Sequence, residues 1–197
     1  MGRLSPDERE MSLLTLLRRA TSTAHDDLET VMGLSPDSIS RERVTELLLA
    51  FAAFYRQWED WIRRSPLDAD FVRTRLKGAS ISRDLGALGV ADIPDSHGPM
   101  RLGEPSLPYA FGSMYVVEGS TLGGQVINRW LAGADWLPAN GLTYFASYGP
   151  RVGAMWRSFR AQLEESCRGC DPDVLVAGAQ ATFSELERRF RVEERAA

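Results

Sequence analysis

The chain has 197 residues, which is long enough for one folded domain with a hydrophobic core. Its hydrophobic content of 44% and charged content of 25% are ordinary for a globular protein, and its formal net charge of −4 argues against nucleic acid as a partner. The longest apolar run, at 47–55, is too short to span a membrane, and the polar, acidic start of the chain does not resemble a signal peptide. We therefore expect a cytoplasmic protein with no membrane contact.

Helical periodicity dominates the first half of the chain, and strand patterns are nearly absent. Ser5–Glu8 predicts a helix start, because a capping serine precedes a proline and a glutamate, and the apolar stripe that follows ends at Gly33. Ser40 begins a second long helix that stops before Pro66. Shorter helices are predicted within 66–77 and 80–88.

In the second half of the chain, glycine and proline punctuate 89–105, which predicts a surface loop. The sequence YFASYGP predicts a second break near Gly149–Pro150. The remaining helices are predicted from Ser106 to about Ala132, from Pro150 to about Cys167, and from Asp171 to about Glu194. With no internal repeat and no long linker, we expect residues 1–197 to form a single all-α domain of seven or eight helices.

The segment YVVEGSTLGGQVINRW, at 115–130, has a helical apolar rhythm but contains Gly119, Gly123 and Gly124. Each glycine inside a helix costs about 1 kcal/mol relative to alanine. Two explanations remain open. Small residues four positions apart allow two helices to approach closely, or a bare, kinkable backbone allows a flat ligand to lie against the helix.

The sequence contains two histidines. His97 lies in the predicted loop, where we expect it to be solvated. His25 lies in the first helix, with Arg18 two turns before it and Glu29 one turn after it on nearly the same face. Taken alone, a single histidine of this kind is typical of a half-buried surface position rather than of a ligand.

The two cysteines, Cys167 and Cys170, match the pattern C-x-x-C. A thioredoxin-like site would need a βαβ context, and a zinc site would need two more ligands. The sequence favours neither, so we interpret the pair as a coincidence at a helix end that is open to oxidation.

Taken together, LRRATSTAHDDLE around His25 and YVVEGSTLGGQVI around the glycines resemble the heme oxygenase family, in particular its bacterial branch associated with bacteriophytochromes. The segments YFASYG and ATFSELERRF extend the resemblance across most of the chain. The resemblance implies a multi-helix bundle in which heme lies between a proximal helix and a kinked distal helix.

The same resemblance implies roles for individual residues. His25 is the axial ligand of the heme iron, and Glu29 orients its imidazole. The implied propionate contacts are Arg18, Tyr115 and Arg157. The implied distal wall is formed by Gly119, Ser120, Gly123 and Gly124, of which Gly119, Ser120 and Gly123 lie nearest the chemistry, and Phe183 packs against the heme.

One position departs from the animal members of the family, which carry an aspartate directly after the first distal glycine. Here that position is Ser120. A hydroxyl group holds water without carrying a negative charge, so we expect backbone carbonyls and ordered water to organise the oxygen-binding side.

The resemblance implies an enzyme for which heme is both substrate and cofactor. It would use O2 and electrons from a ferredoxin- or flavin-type reductase to produce biliverdin, iron and carbon monoxide, and could supply biliverdin to a bacteriophytochrome. Two alternatives remain open: a non-catalytic heme or biliverdin carrier on the same fold, and a helical protein whose glycines serve packing alone.

Overall fold

The computed structural model describes residues 12–93 and 98–196, with side chains up to Arg191. The predicted helix start at Ser5–Glu8 and the predicted loop histidine His97 lie outside the described residues.

The described residues form α-helices and one 3-10 helix, with no β-strand among them, which confirms the all-α prediction. In chain order the elements are α1 (Leu13–Met32), α2 (Arg41–Ile62), α3 (Ala69–Arg73), α4 (Gly78–Ala87), α5 (Leu107–Leu131), α6 (Thr143–Ala146), a 3-10 helix (Gly149–Arg151), α7 (Val152–Ser166) and α8 (Pro172–Ala196). No described helix combines the length and the apolar character that crossing a bilayer requires.

Local capping explains the helix ends that the sequence predicted. Gly33 ends α1 in the left-handed conformation, with φ of 58°, and its N–H donates to the Glu29 carbonyl. The Ser40 side chain accepts a hydrogen bond from the N–H of Arg43 at the start of α2. Ser106 precedes α5 as predicted, although its side chain forms no capping hydrogen bond.

The short helix α6 lies inside the YFASYG segment, where the sequence indicated only a break. Its first turn is held by Asp84 of α4, whose carboxylate accepts hydrogen bonds from the N–H groups of Thr143 and Tyr144 and from the Thr143 hydroxyl. Asp84 is almost fully buried. A cap that comes from 59 residues away leaves no signal in the local sequence.

Helix α8 lies at the centre of the bundle and packs against α1, α2 and α5. Helix α2 supplies much of the aromatic core. Helix α4 packs beside α2, and α6 packs beside α5. Because α1 and α5 both rest on α8, the central helix sets their relative positions. The segment around His25 on α1 and the glycine segment on α5, which carry the family resemblance, are therefore both positioned by α8.

Helices α5 and α8 meet backbone to backbone at two glycines. A Cβ atom added to Gly112 would overlap the carbonyl oxygen of Leu175, and one added to Gly178 would overlap the carbonyl oxygen of Tyr109. The Trp58 indole N–H of α2 donates to the Ser113 hydroxyl at 2.8 Å beside this contact. Close helix packing through glycine therefore occurs in α5, but at positions that the sequence analysis did not single out.

Candidate active site

The glycines of the 115–130 segment face two different environments. A Cβ atom added to Gly119 or to Gly123 would meet no atom of the described residues within 4 Å, so within this part of the chain both positions border open space. A Cβ atom at Gly124 would come within 3.1 Å of the Phe145 carbonyl oxygen. Gly124 therefore packs on α6, which differs from the expectation that it lines the same wall as Gly119 and Gly123.

His25 lies on α1, and 56% of its side-chain surface is exposed. Its ring meets the ring of Phe183 of α8 edge to face, with 6.1 Å between the ring centroids. Phe183 is itself 6% exposed. The imidazole is thus oriented by an aromatic contact on the central helix while much of it stays open.

Two carboxylates flank the His25 ring. Nε2 lies 3.8 Å from Oε1 of Glu29, and Nδ1 lies 3.7 Å from Oδ1 of Asp26. Both distances exceed a hydrogen bond, and all three side chains are exposed. A histidine that ligates a metal through one nitrogen needs an acceptor for the N–H of the other. Glu29 was predicted for that role, and Asp26, which the sequence analysis did not single out, is equally close.

Tyr115 connects α5 to α1. Burial raises the pKa of the Tyr115 hydroxyl, while a hydrogen bond with Thr21 and the positive charge of Arg18 act in the opposite direction. Tyr115 and Arg18, the two residues expected to contact propionates, therefore lie close together. Gly119 lies one turn after Tyr115 on α5, and His25 lies two turns after Arg18 on α1.

Arg157 lies on the exposed face of α7, in a shallow depression that it lines with Arg160 and Glu164. Its neighbour Trp156 packs against Tyr115, with 6.1 Å between the ring centroids. Helix α7 therefore approaches the Tyr115 end of the site through Trp156, and Arg157 is exposed on the same helix.

Ser120 is exposed, and its hydroxyl donates to the Val117 carbonyl at 2.8 Å. Behind it lie Tyr55 of α2 and Tyr144 of α6, which are both buried. Burial raises the pKa of both Tyr55 and Tyr144, whereas hydrogen bonding with Ser120 lowers both. The two phenols therefore stay protonated near neutral pH. The sequence analysis missed them, since nothing local links Tyr55 to a site residue 65 positions later.

The cysteines are free thiols, with Cys167 buried and Cys170 partly buried. Within 12–93 and 98–191, the grouping of three side chains suited to a metal ion is His25 with Asp26 and Glu29. The described part of the chain thus gives the C-x-x-C pair no further metal ligands.

Comparison with known proteins assigns the chain to a family. The family model described as heme oxygenase matches residues 11–191, nearly the whole chain. The chain belongs to the heme oxygenase family. It is similar to a heme oxygenase of Xanthomonas campestris, with 33% identity over 150 residues that cover 73% of this chain and 84% of the relative.

A second relative is the heme oxygenase PigA of Pseudomonas aeruginosa, which is 26% identical over 96% of this chain and all of the relative. Both relatives are bacterial, as the sequence resemblance implied. As a heme oxygenase, the protein is an enzyme that degrades heme, with heme as both substrate and cofactor.

The residues present fit heme. Bare backbone at Gly119 and Gly123 borders open space, where side chains would obstruct a flat ring. His25 offers an accessible nitrogen ligand with carboxylates beside it, and an arginine and a tyrosine stand one to two turns away. Neutral imidazole is a common ligand for heme iron, and a cation suits a propionate.

Proposed function

We propose that this heme oxygenase binds heme in a slot bordered by His25 of α1, Gly119 and Gly123 of α5, and Phe183 of α8. The observation that carries the proposal is the open space at Gly119 and Gly123. Other glycines of α5, at 112 and 124, have their missing side chains explained by a neighbouring backbone. Packing gives no such explanation for these two, whereas a flat ligand does.

On one side of the slot, a nitrogen of His25 would ligate the heme iron, and Glu29 or Asp26 would accept the N–H of the opposite ring nitrogen. Such an acceptor fixes the imidazole orientation and increases its basicity. Phe183 limits the rotation of the His25 ring by its edge-to-face contact. At the slot mouth, Arg18 and Tyr115 bind propionates, and Arg157 reaches toward them from α7.

On the distal side, Gly119 and Gly123 leave room beside the iron for a diatomic ligand. Ser120, backed by the protonated phenols of Tyr55 and Tyr144, holds ordered water there as hydrogen-bond donor and acceptor. The bound heme supplies the redox and oxygen chemistry of the reaction. The protein therefore binds and orients heme and holds water beside it, and the reaction needs no nucleophile or base from the protein.

We further propose that residues 1–197 act as one domain in the cytoplasm, that a ferredoxin- or flavin-type reductase supplies the electrons, and that a bacteriophytochrome receives the biliverdin. The support for the last two is the sequence resemblance around His25 and the 115–127 segment. The products of the reaction are then biliverdin, iron and carbon monoxide.

Aerobic turnover tests the proposal. Heme is added in equal amount to the protein, followed by reductant, and the Soret band is recorded. Decay of the band into a bilin spectrum with release of carbon monoxide is the expected result. A persistent Soret band would instead indicate a heme carrier, and the absence of a Soret shift on mixing would contradict heme binding in this slot.

The proposed transfer of biliverdin to a bacteriophytochrome is tested separately, by adding a bacteriophytochrome without chromophore to the turnover mixture. We expect a photochromic holoprotein to form only when active enzyme, heme and reductant are all present. If the bilin product fails to incorporate while authentic biliverdin does, the chromophore role is contradicted and the heme-degrading activity stands.

A further inference from the structure

Glu118 directly precedes Gly119 on α5 and has no exposed surface. Successive helical residues project about 100° apart, so its side chain leaves the helix on a different side from the glycine. The function proposed above uses Gly119 and makes no use of Glu118. A buried carboxylate beside the distal wall therefore lacks an explanation.

Three side chains from outside α5 surround this carboxylate, and with Glu118 they form what we call the Glu118 cluster: Arg75, Lys77, Glu118 and Tyr148. The Tyr148 hydroxyl donates to Oε1 of Glu118 at 2.6 Å. Nε of Arg75 lies 3.6 Å from Oε2 of Glu118. The ammonium of Lys77 lies 3.4 Å from the centroid of the Tyr148 ring. Arg75 and Lys77 are themselves 3% and 5% exposed.

The cluster is anchored on both sides. Glu59 of α2 accepts hydrogen bonds from the backbone N–H groups of Lys77 and Gly78, each at 2.7 Å, which fixes the segment before α4. The Lys77 ammonium also donates to the Ser147 hydroxyl at 3.1 Å. Since Tyr148 lies two residues after the end of α6, the Glu118 carboxylate joins α5 to both the α2–α4 side and the α6 side.

Stability alone is a poor reason for this arrangement. Oε2 of Glu118 and Nε of Arg75 are buried and form no hydrogen bond with the described residues. Burial raises the pKa of Glu118, against the opposing influence of Tyr148, Lys77 and Arg75, which shows that the site penalises the charge. Apolar side chains of similar volume usually stabilise such a position as well or better. The geometry that the charges impose is the remaining explanation.

Helix α5 needs such a restraint where the cluster holds it. Gly119 and Gly123 have no side chains to pack, and no other described element lies within 4 Å of where their Cβ atoms would be, so packing at these two positions does not limit bending of the helix. Before this segment, the Glu118 cluster holds the residue next to Gly119. After it, Gly124 packs against the Phe145 backbone. The two contacts lie on either side of the open segment.

We propose that Glu118 is a positioning residue for heme cleavage: through the Glu118 cluster it fixes the path of the α5 backbone at Gly119–Gly123, and so the space above the iron. This proposal rests on the proposed function, since it assumes that heme lies against those glycines. It predicts that Glu118 affects the orientation of small ligands and the bilin isomer formed, with little effect on heme affinity.

The first test uses the heme-free protein, so that it does not depend on where heme binds. Backbone hydrogen exchange at 119–124 is compared between Glu118→Gln and a matched control, Glu185→Gln. Glu185 is also a buried carboxylate that pairs with arginines, but it lies on α8. We expect exchange at 119–124 to rise about tenfold in Glu118→Gln, the effect of losing roughly one strong hydrogen bond, and to stay within about twofold in the control.

If Glu118→Gln does not fold, Tyr148→Phe replaces it in the hydrogen-exchange comparison. It removes the hydrogen bond that the Tyr148 hydroxyl donates to Oε1 of Glu118 and keeps the aromatic ring beside Lys77. The same local rise in exchange is expected, at a smaller size. Equal exchange at 119–124 in the variant and the control would overturn the proposal.

The second test uses the heme-loaded ferrous protein. In Glu118→Gln we expect a shifted C–O stretching frequency of bound carbon monoxide and a broadened bilin isomer distribution, with the heme dissociation constant changed by less than about threefold. An unchanged frequency and isomer distribution would overturn the positioning role. If wild-type protein fails to bind heme, the proposed function fails instead, while the exchange comparison still decides whether Glu118 restrains α5.

Discussion

Ser120 shows how a single residue can be exposed and still belong to a buried network. Its hydroxyl bonds to its own helix, while two buried phenols, Tyr55 and Tyr144, stand behind it. By the sequence resemblance, the serine occupies the position where animal heme oxygenases have an aspartate. In the proposed function, a neutral hydroxyl group with two neutral phenols provides hydrogen bonds without a negative charge, so the water network at Ser120 would depend on several partners rather than one.

Removing the Ser120 hydroxyl is therefore expected to have a limited effect. Ser120→Ala should slow heme turnover by less than about tenfold, because it removes about one hydrogen bond of ~1 kcal/mol while the phenols remain. Single-turnover rates of Soret decay measure this, with Ser82→Ala, at an exposed position of α4, as a control that should match wild type. An inactive Ser120→Ala protein with normal heme binding would mean that this serine alone does the work of the aspartate.

At the scale of the helix, α5 uses glycine for two purposes. Gly112 meets the backbone of α8 and Gly124 meets that of α6, whereas Gly119 and Gly123 border open space. The sequence analysis left packing and ligand binding as equal alternatives for this helix. Packing on a neighbouring backbone occurs at Gly112 and Gly124, and ligand binding is the role that we propose for Gly119 and Gly123. Only the presence or absence of a partner backbone distinguishes the two kinds of position. A spacing of four residues alone contains no information about which neighbour is present.

Two substitutions separate these roles. Gly178→Ala on α8 should lower the free energy of unfolding by about 1–3 kcal/mol, because its Cβ would overlap the Tyr109 carbonyl, while the folded fraction still turns over heme. Gly123→Leu should keep or raise stability by up to about 1 kcal/mol, since leucine is the better helix former, yet prevent carbon monoxide binding to ferrous heme.

Chemical denaturation and carbon monoxide titration of both variants measure the two effects. Normal carbon monoxide binding by Gly123→Leu would contradict the distal-wall assignment. A Gly123→Leu protein that loses stability as Gly178→Ala does would mean that Gly123 also packs against a neighbour.

At the scale of the whole molecule, the sequence analysis predicted the helix ends that depend on local capping residues. It missed the features that depend on residues far apart in the chain. The long helices began and ended near the predicted caps at Ser40, Gly33 and Ser106. Helix α6 and the Glu118 cluster were not predicted, because their partners come from Asp84, Arg75 and Lys77, far away in the chain. The site residues were suggested by family resemblance rather than by pattern.

The central position of α8 has a consequence for stability. Helices α1 and α5 both rest on α8, so a ligand that bridges α1 and α5 adds contacts that the heme-free fold lacks. A ligand that binds only the folded state stabilises it by about 2.7 kcal/mol at one hundred times its dissociation constant. We expect hemin to raise the midpoint of thermal unfolding in a concentration-dependent way. A midpoint that does not respond to hemin would contradict binding between these helices.

The central claim is that His25 ligates heme, and the absorption spectrum of heme-loaded His25→Ala tests it most directly. His97→Ala, which changes the other histidine of the sequence, is the matched control. We predict that His25→Ala still takes up heme but loses the spectrum of histidine-ligated iron, that added imidazole restores this spectrum and part of the turnover, and that His97→Ala is unchanged. A wild-type spectrum in heme-loaded His25→Ala would contradict the account.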